Sequence, residues 1–281
     1  MQDYEDIPEF YTIYRFPEDI KTVEGKKRFE MLKNDFRKLL QHEWLKKHLD
    51  SKDTIKIIDI CSGKGIGSIA FASILKEIEK KFDITMIDIR CDALKQAEKN
   101  AADELGYKPR TICSNILNID ENITGADIVL MIGGSAAHFS PWDMIRLYAT
   151  TSTMLGDDGI LVIEENDRVY RILVKKGFKD FLPEWVTEKE VIVTVHKGYN
   201  WKTGMFTRGV MNLLNPNKVA FANVYFWSLS ELMALAWIFY HDVDFVESSS
   251  KIQPTGYILA KQPRRKINKN DLEQIPKVLK E

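Results

Sequence analysis

The sequence has few cysteines, no long apolar run and almost no net charge, and each absence narrows its class. Its three cysteines, Cys61, Cys91 and Cys113, are odd in number and include no Cys-x-x-Cys pair, so neither a disulfide framework nor a zinc site is predicted. The longest strongly apolar stretch, residues 232–240, is far too short to span a bilayer. A formal net charge of −1 gives no global attraction to nucleic acid or to a membrane surface. The acidic N-terminus lacks the pattern of a signal peptide, and we expect a cytoplasmic protein without a metal site.

The chain does have a regular alternation of short apolar strands and helical segments. An amphipathic helix is predicted over residues 24–49. Predicted strands follow, with helices between them, at 55–60, 84–88, 111–113, 127–132 and 160–163. This alternation indicates a parallel α/β sheet with helices on both faces. Two further strands, at 244–248 and 256–260, are expected to complete the sheet as a hairpin-like pair.

The pattern changes after residue 165. Strand-like runs at 191–195, 204–208 and 219–226 are joined by turns, so we expect an antiparallel cap inserted after the fifth strand. The predicted divisions are an N-terminal arm and helix (1–50), a core domain (51–165 and 228–262), the cap (166–227) and a basic tail (263–281).

A glycine-rich turn, Ser62–Gly67, follows the first strand and is the centre of the functional prediction. Glycine permits positive φ and close approach of the backbone to a ligand, and the next helix directs free N–H groups at the turn. Asp88 ends the second strand, Asn115 follows the third, and Gly133-Gly134 follows the fourth. Because ligands of open α/β sheets bind at the carboxyl edge, these residues predict a nucleotide-like cofactor there.

The details of the turn favour one kind of cofactor. The third glycine comes one residue too early for a dinucleotide fingerprint, and Gly-x-x-x-x-Gly-Lys-Ser/Thr is absent. Asp59, just before the glycines, would repel a pyrophosphate and suits a ligand that carries an ammonium group.

The segment Asp59-Ile60-Cys61-Ser62-Gly63-Lys64-Gly65 resembles the Asp-x-Gly-x-Gly-x-Gly pattern of class I S-adenosylmethionine-dependent methyltransferases, with Cys61 in place of the first glycine. The resemblance covers about residues 50–165. It implies a Rossmann-like, doubly wound, mostly parallel seven-stranded sheet and S-adenosylmethionine as cofactor. The cofactor-binding residues that it implies are Asp59, Cys61, Ser62, Gly63, Gly65, Asp88, Ile89, Asn115, Ile116 and Gly133.

The run Gly133-Gly134-Ser135-Ala136-Ala137-His138-Phe139 is similar to a motif of small-molecule methyltransferases of the glycine N-methyltransferase type, with Gly134 in place of an asparagine. This implies methyl transfer to an oxygen or nitrogen of a small-molecule acceptor. His138 is the candidate base, and a structural role for it is the alternative. The candidate acceptor contacts are Ser135, Tyr199, Trp201 and Arg208; Arg208 would pair with an acidic group, and ordinary packing of the cap is the alternative.

Three other functions stay open at this point. The basic run Lys261–Lys266 could serve an RNA methyltransferase, although the net charge makes nucleic acid an unfavoured partner. A nicotinamide-dependent oxidoreductase would use a similar sheet edge. A protein that binds the cofactor without catalysis is the third reading. The formation of a homo-oligomer is also left open.

Overall fold

A computed structural model describes residues 4–119, 123–267 and 269–280. Met1–Asp3 of the predicted arm, and Asn268 and Glu281 of the predicted tail, lie outside the described residues. The helices are Ile7–Ile13 (α1), Val23–Leu39 (α2), Glu43–Asp50 (α3), Ile66–Glu77 (α4), Cys91–Leu105 (α5), Pro141–Met154 (α6) and Leu229–Phe239 (α7). The strands are Thr54–Ile60 (β1), Lys81–Asp88 (β2), Arg110–Cys113 (β3), Ala126–Met131 (β4), Leu155–Asn166 (β5), Phe181–Val186 (β6), Val191–Asn200 (β7), Met205–Asn212 (β8), Asn215–Val224 (β9), Tyr240–Glu247 (β10) and Thr255–Pro263 (β11).

The main sheet has seven strands in the order β3–β2–β1–β4–β5–β11–β10. Strands β1 to β5 pair in parallel, whereas β11 is antiparallel to both β5 and β10. Two clusters of buried apolar side chains cover the two faces of this sheet, as expected for strands that are apolar along their length. The predicted doubly wound, mostly parallel α/β sheet is confirmed.

Two helix starts follow the local sequence. The Ser140 side chain accepts a hydrogen bond from the N–H of Asp143 and caps α6, whose first residue is Pro141. Ser228 forms a capping box with Glu231 at the start of α7.

The single helix predicted over residues 24–49 is wrong. The structure has two helices, α2 and α3, with a break at Leu40–His42. The His42 side chain accepts a hydrogen bond from the N–H of Trp44 at 3.3 Å and caps the second helix. The apolar spacing continues through the break, which is why periodicity alone does not reveal it.

A second, antiparallel sheet has the order β6–β7–β8–β9 and corresponds to the predicted cap. Three of its strands follow the predicted runs, while β6 was missed. Strand β6 contains Pro183 and lies at the edge of its sheet, where a proline is tolerated because one side of the strand needs no partner.

Helix α1 packs against β8 and β9, so the N-terminal arm is held by the cap.

The cysteine prediction needs correction, because Cys91 and Cys113 form a disulfide. Cys91 begins α5 and Cys113 ends β3, and the parallel pairing of β2 with β3 brings these ends together, with a Cα–Cα distance of 5.2 Å. Cys61 is a free thiol. No helix within the described ranges is long and apolar enough to cross a membrane.

Candidate active site

The glycine-rich turn after β1 has a backbone that favours glycine. Cys61, Gly63 and Gly65 have positive φ values of 52°, 54° and 78°. A Cβ atom on Gly63 would lie 2.2 Å from Oε2 of Glu18, and one on Gly65 would lie 3.0 Å from the Met86 side chain. The positive φ therefore favours glycine at both positions, and a side chain at Gly63 would also displace the Glu18 carboxylate.

Asp59, near the end of β1, is almost fully buried. Its Oδ2 atom accepts hydrogen bonds from the backbone N–H and the hydroxyl of Ser68, at 3.1 and 2.6 Å. Its Oδ1 atom is buried and has no hydrogen-bond partner among the described residues. Burial raises the pKa of Asp59 to about 7. A buried carboxylate oxygen without a donor is suited to a ligand or a water molecule that supplies one.

Asp88 ends β2 and joins the glycine turn to the next loop. Its Oδ2 atom accepts a hydrogen bond from the N–H of Gly63 at 2.6 Å, and its Oδ1 atom accepts one from the N–H of Arg90 at 2.8 Å. Burial raises the pKa of Asp88, and the nearby Arg90 opposes that effect. The carboxylate therefore lies at the sheet edge where the sequence predicts it.

A small pocket of about 70 Å³ lies at this edge. Five predicted cofactor residues are among its lining: Cys61, Asp88, Ile89, Asn115 and Ile116. The Oδ1 atom of Asn115 accepts a hydrogen bond from the N–H of Leu117 at 3.0 Å, so this residue is both a pocket wall and the cap of a short 3₁₀ helix. Ser135, predicted to contact the acceptor, lines this smaller pocket and not the larger cavity beside it.

Tyr11 and His138 separate the small pocket from a larger cavity, since both side chains line both spaces. The Tyr11 hydroxyl lies 3.0 Å from Nε2 of His138, and the guanidinium of Arg90 stacks 4.3 Å from the centre of the Tyr11 ring. Burial, together with the positive charges of Arg168 and Arg90, lowers the pKa of His138 to about 4. The imidazole is therefore uncharged at neutral pH.

The larger cavity, of about 350 Å³, opens between the main sheet and the cap. Its lining combines aromatic side chains of the N-terminal arm, the carboxyl ends of β4 and β5, and polar residues of the cap. Gly133 and Gly134, with positive φ values of 115° and 69°, form part of this lining. A Cβ atom on Gly134 would lie 2.7 Å from Nη2 of Arg168, so a side chain there would displace the arginine.

Two ion pairs with buried carboxylates lie against this cavity. Nη2 of Arg28 is 3.0 Å from Oε2 of Glu164, and Nη2 of Arg168 is 3.0 Å from Oε1 of Glu165. Arg168 also donates to the carbonyl of Gly134 at 2.8 Å. Burial raises the pKa of Glu165, and Arg168 opposes that effect. Within the described ranges, no group of three or more His, Cys, Asp or Glu side chains is arranged to hold a metal ion.

The predicted acceptor residues of the cap have different positions. Arg208 is buried and lines the larger cavity, where it donates to Oγ1 of Thr194 at 2.7 Å. Tyr199 and Trp201 are 56% and 70% exposed and line neither space. The structure does not bring these two to the cavity. Tyr199 lies at the end of β7, where it packs on Phe206, and Trp201 lies in the turn that follows.

The N-terminal arm contributes contacts that the sequence analysis did not identify. Glu18 accepts two hydrogen bonds from Arg90, at 2.8 and 2.7 Å, and Asp19 pairs with Lys64 of the glycine turn at 3.1 Å. Nothing in the local sequence of the arm signals these partners, since they lie more than forty residues away along the chain.

The ion-paired residues of the cavity, Arg28, Glu164, Glu165 and Arg168, were also missed. One signal was present, however. Glu164-Glu165 directly follows the apolar run 160–163, just as Asp88 ends the second predicted strand, so the sheet-edge rule could have identified both glutamates.

The order of the strands, the glycine-rich turn after β1 and the position of Asp88 fit the class of S-adenosylmethionine-dependent methyltransferases. The chain belongs to the ubiE/COQ5 methyltransferase family, whose model matches residues 26–202. S-adenosylmethionine is its cofactor, and the family assignment decides against the nicotinamide-dependent oxidoreductase. A comparison with curated protein sequences finds no significant match.

Solved structures share this fold at low sequence identity. An S-adenosylmethionine-dependent methyltransferase from Clostridium acetobutylicum ATCC 824 is similar with a TM-score of 0.60 and 13% identity, over 84% of this chain and 91% of that one. The CcbJ methyltransferase from Streptomyces caelestis has a TM-score of 0.60 and 11% identity, over 81% and 89%. The sugar N-methyltransferase KedS8 from Streptoalloteichus sp. ATCC 53650 has a TM-score of 0.55 and 11% identity, over 83% and 87%.

Proposed function

We propose that this methyltransferase transfers the methyl group of S-adenosylmethionine to an oxygen or nitrogen atom of a small molecule held in the larger cavity. The observation that carries the proposal is that the two spaces share Tyr11 and His138 as a common wall. A donor in the smaller pocket and an acceptor in the larger cavity would meet there. One structure of similar fold is that of a sugar N-methyltransferase, which is consistent with a small-molecule acceptor.

The residues at the sheet edge fit the adenosine part of the cofactor. Asp88 would accept hydrogen bonds from the ribose hydroxyls, since its carboxylate lines the smaller pocket. Asn115 would face the adenine, which would pack against Ile89 and Ile116. Cys61 forms the wall beside them.

The glycine turn fits the methionine part. The buried Oδ1 atom of Asp59, which no described residue satisfies, is an available acceptor for the ammonium group, directly or through a water molecule. The hydroxyl of Ser62 is likewise buried without a partner among the described residues. A Cβ atom on Gly63, Gly65 or Gly133 would meet the side chains of Glu18, Met86 and Phe16 respectively, so glycine at these positions lets these side chains pack against the backbone.

When bound, the cofactor supplies an electrophilic methyl group on a positively charged sulfur. The chain supplies alignment of the reacting atoms, exclusion of water and a place for the proton. His138 is our proposed base: its low pKa keeps the imidazole uncharged at neutral pH, so Nε2 can take up the proton of the acceptor, directly or through the Tyr11 hydroxyl bonded to it. The same low pKa makes this a weak base, so alignment carries most of the rate enhancement.

The test measures the two functions of the site separately. Calorimetry with S-adenosylhomocysteine measures cofactor binding, and formation of S-adenosylhomocysteine from a panel of small hydroxyl and amine compounds measures transfer. We expect His138→Asn to lower turnover by about 10²-fold with unchanged S-adenosylhomocysteine affinity, and the exposed His241→Asn to change neither. Normal turnover in His138→Asn would make His138 structural, and no transfer to any compound would leave only a cofactor-binding protein.

The basic tail gives no support to the RNA alternative. Arg265 pairs with the exposed Asp157, and Arg264 donates to the carbonyl of Tyr240 at 2.8 Å, so both cations have partners within this chain. We propose a cytoplasmic enzyme without a nucleic-acid partner, although the Cys91–Cys113 disulfide is of a kind more frequent outside the cytosol. Binding of labelled RNA to the full chain at low and high salt, and the redox state of these cysteines in cells, would test both parts.

A further inference from the structure

The larger cavity has an excess of positive charge. Five of its lining side chains are cationic (Arg28, Arg168, Arg171, Lys176 and Arg208) and three are carboxylates (Glu164, Glu165 and Glu184). The chain as a whole carries a formal net charge of −1. The positive charge of the cavity is therefore a local feature of these residues.

The charges on the sheet side of the cavity neutralise each other. Arg28 pairs with Glu164 and Arg168 pairs with Glu165, each at 3.0 Å. These four side chains come from α2, from β5 and from the segment directly after β5. They leave no net charge on this wall.

The charges on the cap side are not neutralised in this way. Arg171 and Lys176 lie on a π-helical segment, Val169–Lys176, and neither has an ion pair within 4.0 Å among the described residues. Arg208, although buried, donates only to uncharged oxygens, namely the carbonyls of Lys179 and Thr194 and the Thr194 hydroxyl. A buried guanidinium without a carboxylate in contact is expensive unless a ligand supplies the anion.

Two carboxylates do lie near Arg208, and their negative charges partly offset the positive charge of this wall. Glu184 and Asp180 act on Arg208 electrostatically, and Glu184 accepts a hydrogen bond from Oγ1 of Thr194 at 2.7 Å. Neither forms an ion pair with Arg208 within 4.0 Å. Of these two carboxylates, Glu184 lines the cavity, and it is outnumbered by Arg171, Lys176 and Arg208. This wall therefore has an excess of positive charge.

We infer that the methyl acceptor is an organic anion whose carboxylate or phosphate binds to the cap side of the larger cavity, against Arg171 and Arg208 with Lys176 at the margin. The inference rests on the proposed function, since it names the class of substrate for the same site. Guanidinium groups are the side chains best matched to carboxylate and phosphate oxygens.

The opposite wall orients the rest of such a molecule. Oε2 of Glu165 and Oδ1 of Asn166 are buried acceptors without a partner among the described residues, and both residues line the cavity. A hydroxyl or amine donor would satisfy these atoms. The anionic end would then face the cap, and the polar end to be methylated would face the wall that contains Gly134 and His138. Phe10, Phe16 and Phe226 supply apolar lining between the two ends.

The experiment measures binding to the full chain saturated with S-adenosylhomocysteine, so that it does not depend on turnover. The probes are 4-hydroxyphenylacetate, its neutral counterpart 4-hydroxyphenylacetamide, and phenyl phosphate. We expect one or both anions to bind about 10- to 100-fold more tightly than the amide, as charged hydrogen bonds imply, and to lose affinity as salt increases. The ratio between the two anions distinguishes a carboxylate from a phosphate.

Variants test whether the cap residues cause the preference for the anion. Arg171→Gln should reduce the preference for the anion over the amide to about threefold or less, with unchanged affinity for S-adenosylhomocysteine; Arg208→Gln should act in the same direction. The matched control is Arg110→Gln, at the exposed edge of β3 and outside both spaces, which should retain the full preference.

Two results would overturn the inference: anions that bind no more tightly than the amide, including no binding at all, or a preference that survives Arg171→Gln and Arg208→Gln separately. Failure of the proposed function has a different signature, because S-adenosylhomocysteine itself would then fail to bind or no methyl transfer would occur with any acceptor.

Discussion

The smaller pocket and the larger cavity adjoin each other but are built in different ways. The smaller pocket is lined by Cys61 of the turn after β1, by the ends of β2 and β3, and by residues of the arm and of the segment after β4. Asp88 is part of this lining, and Cys61 has a positive φ. The larger cavity is lined by aromatic side chains of the arm and by charged side chains of α2, the sheet edge and the cap. The donor site therefore depends on main-chain conformation together with the ion pairs that join the arm to the turn, whereas the acceptor cavity depends mainly on charged side chains.

The strongest test of this difference removes one member of a buried ion pair. Arg28→Met leaves Glu164 without its partner in a place where both side chains are about 10% exposed. We expect a loss of about 3–5 kcal/mol in the free energy of unfolding, because an uncompensated charge remains buried. Urea unfolding measures the loss, and the double variant Arg28→Met/Glu164→Leu should recover most of it.

A matched control lies on the same helix. Arg37→Met breaks the ion pair with Glu77, in which both side chains are 42% exposed, and should cost less than about 1 kcal/mol. Equal losses for Arg28→Met and Arg37→Met would show that the cavity does not depend on its buried pair.

Acid should change the contributions of His138 and Asp59 to stability in opposite directions. The folded-state pKa of His138, lowered to about 4, gives a contribution to stability that is present above pH 6.5 and is lost as the pH falls through about 4. The pKa of Asp59, raised to about 7, gives a contribution that is present below about pH 4 and is lost as the pH rises through about 7.

Unfolding at pH 7 and pH 4 separates these contributions. Relative to His138→Gln, the unsubstituted chain should lose about 3 kcal/mol of stability between pH 7 and pH 4; relative to Asp59→Asn, it should gain about 3 kcal/mol. His241→Gln, at an exposed histidine, should follow the unsubstituted chain. Slopes of the same sign for the two variants would contradict the opposed burial of these groups.

A substitution of Asp88, at the end of β2, tests the smaller pocket without changing the larger cavity. Asp88→Ala should weaken S-adenosylhomocysteine binding by about 1–3 kcal/mol, the cost of hydrogen bonds lost to a charged acceptor. It should leave the relative affinities of acceptor probes unchanged, since Asp88 lines only the smaller pocket. Calorimetry provides both numbers, with the exposed Asp53→Ala as control. An unchanged affinity in Asp88→Ala would mean that the ribose site lies elsewhere.

The same contrast explains what could be predicted from the sequence. The sheet, the glycine turn and Asp88 follow from local periodicity and from the rule that strand ends meet at one edge. The ion pair of Arg28 with Glu164 joins residues 136 positions apart, and no local pattern encodes such a pair. The prediction that Tyr199 and Trp201 contact the acceptor is unsupported for a related reason. The sequence indicates a hairpin but does not show which of its residues face the cavity.

The smallest effect concerns Cys61, where this chain departs from the glycine of the family pattern. Its φ of 52° is a conformation that costs a side-chain-bearing residue about 1–2 kcal/mol, and its side chain lines the smaller pocket. Comparing Cys61→Gly with Cys61→Ala removes the thiol in both and leaves only the Cβ atom as the difference. The glycine variant should be more stable to unfolding by about 1 kcal/mol, after the extra entropy of glycine in the unfolded chain is counted. Equal stabilities would mean that the turn relaxes around a Cβ atom. The main-chain conformation of the turn would then matter little for the donor site, and this difference from the acceptor cavity would disappear.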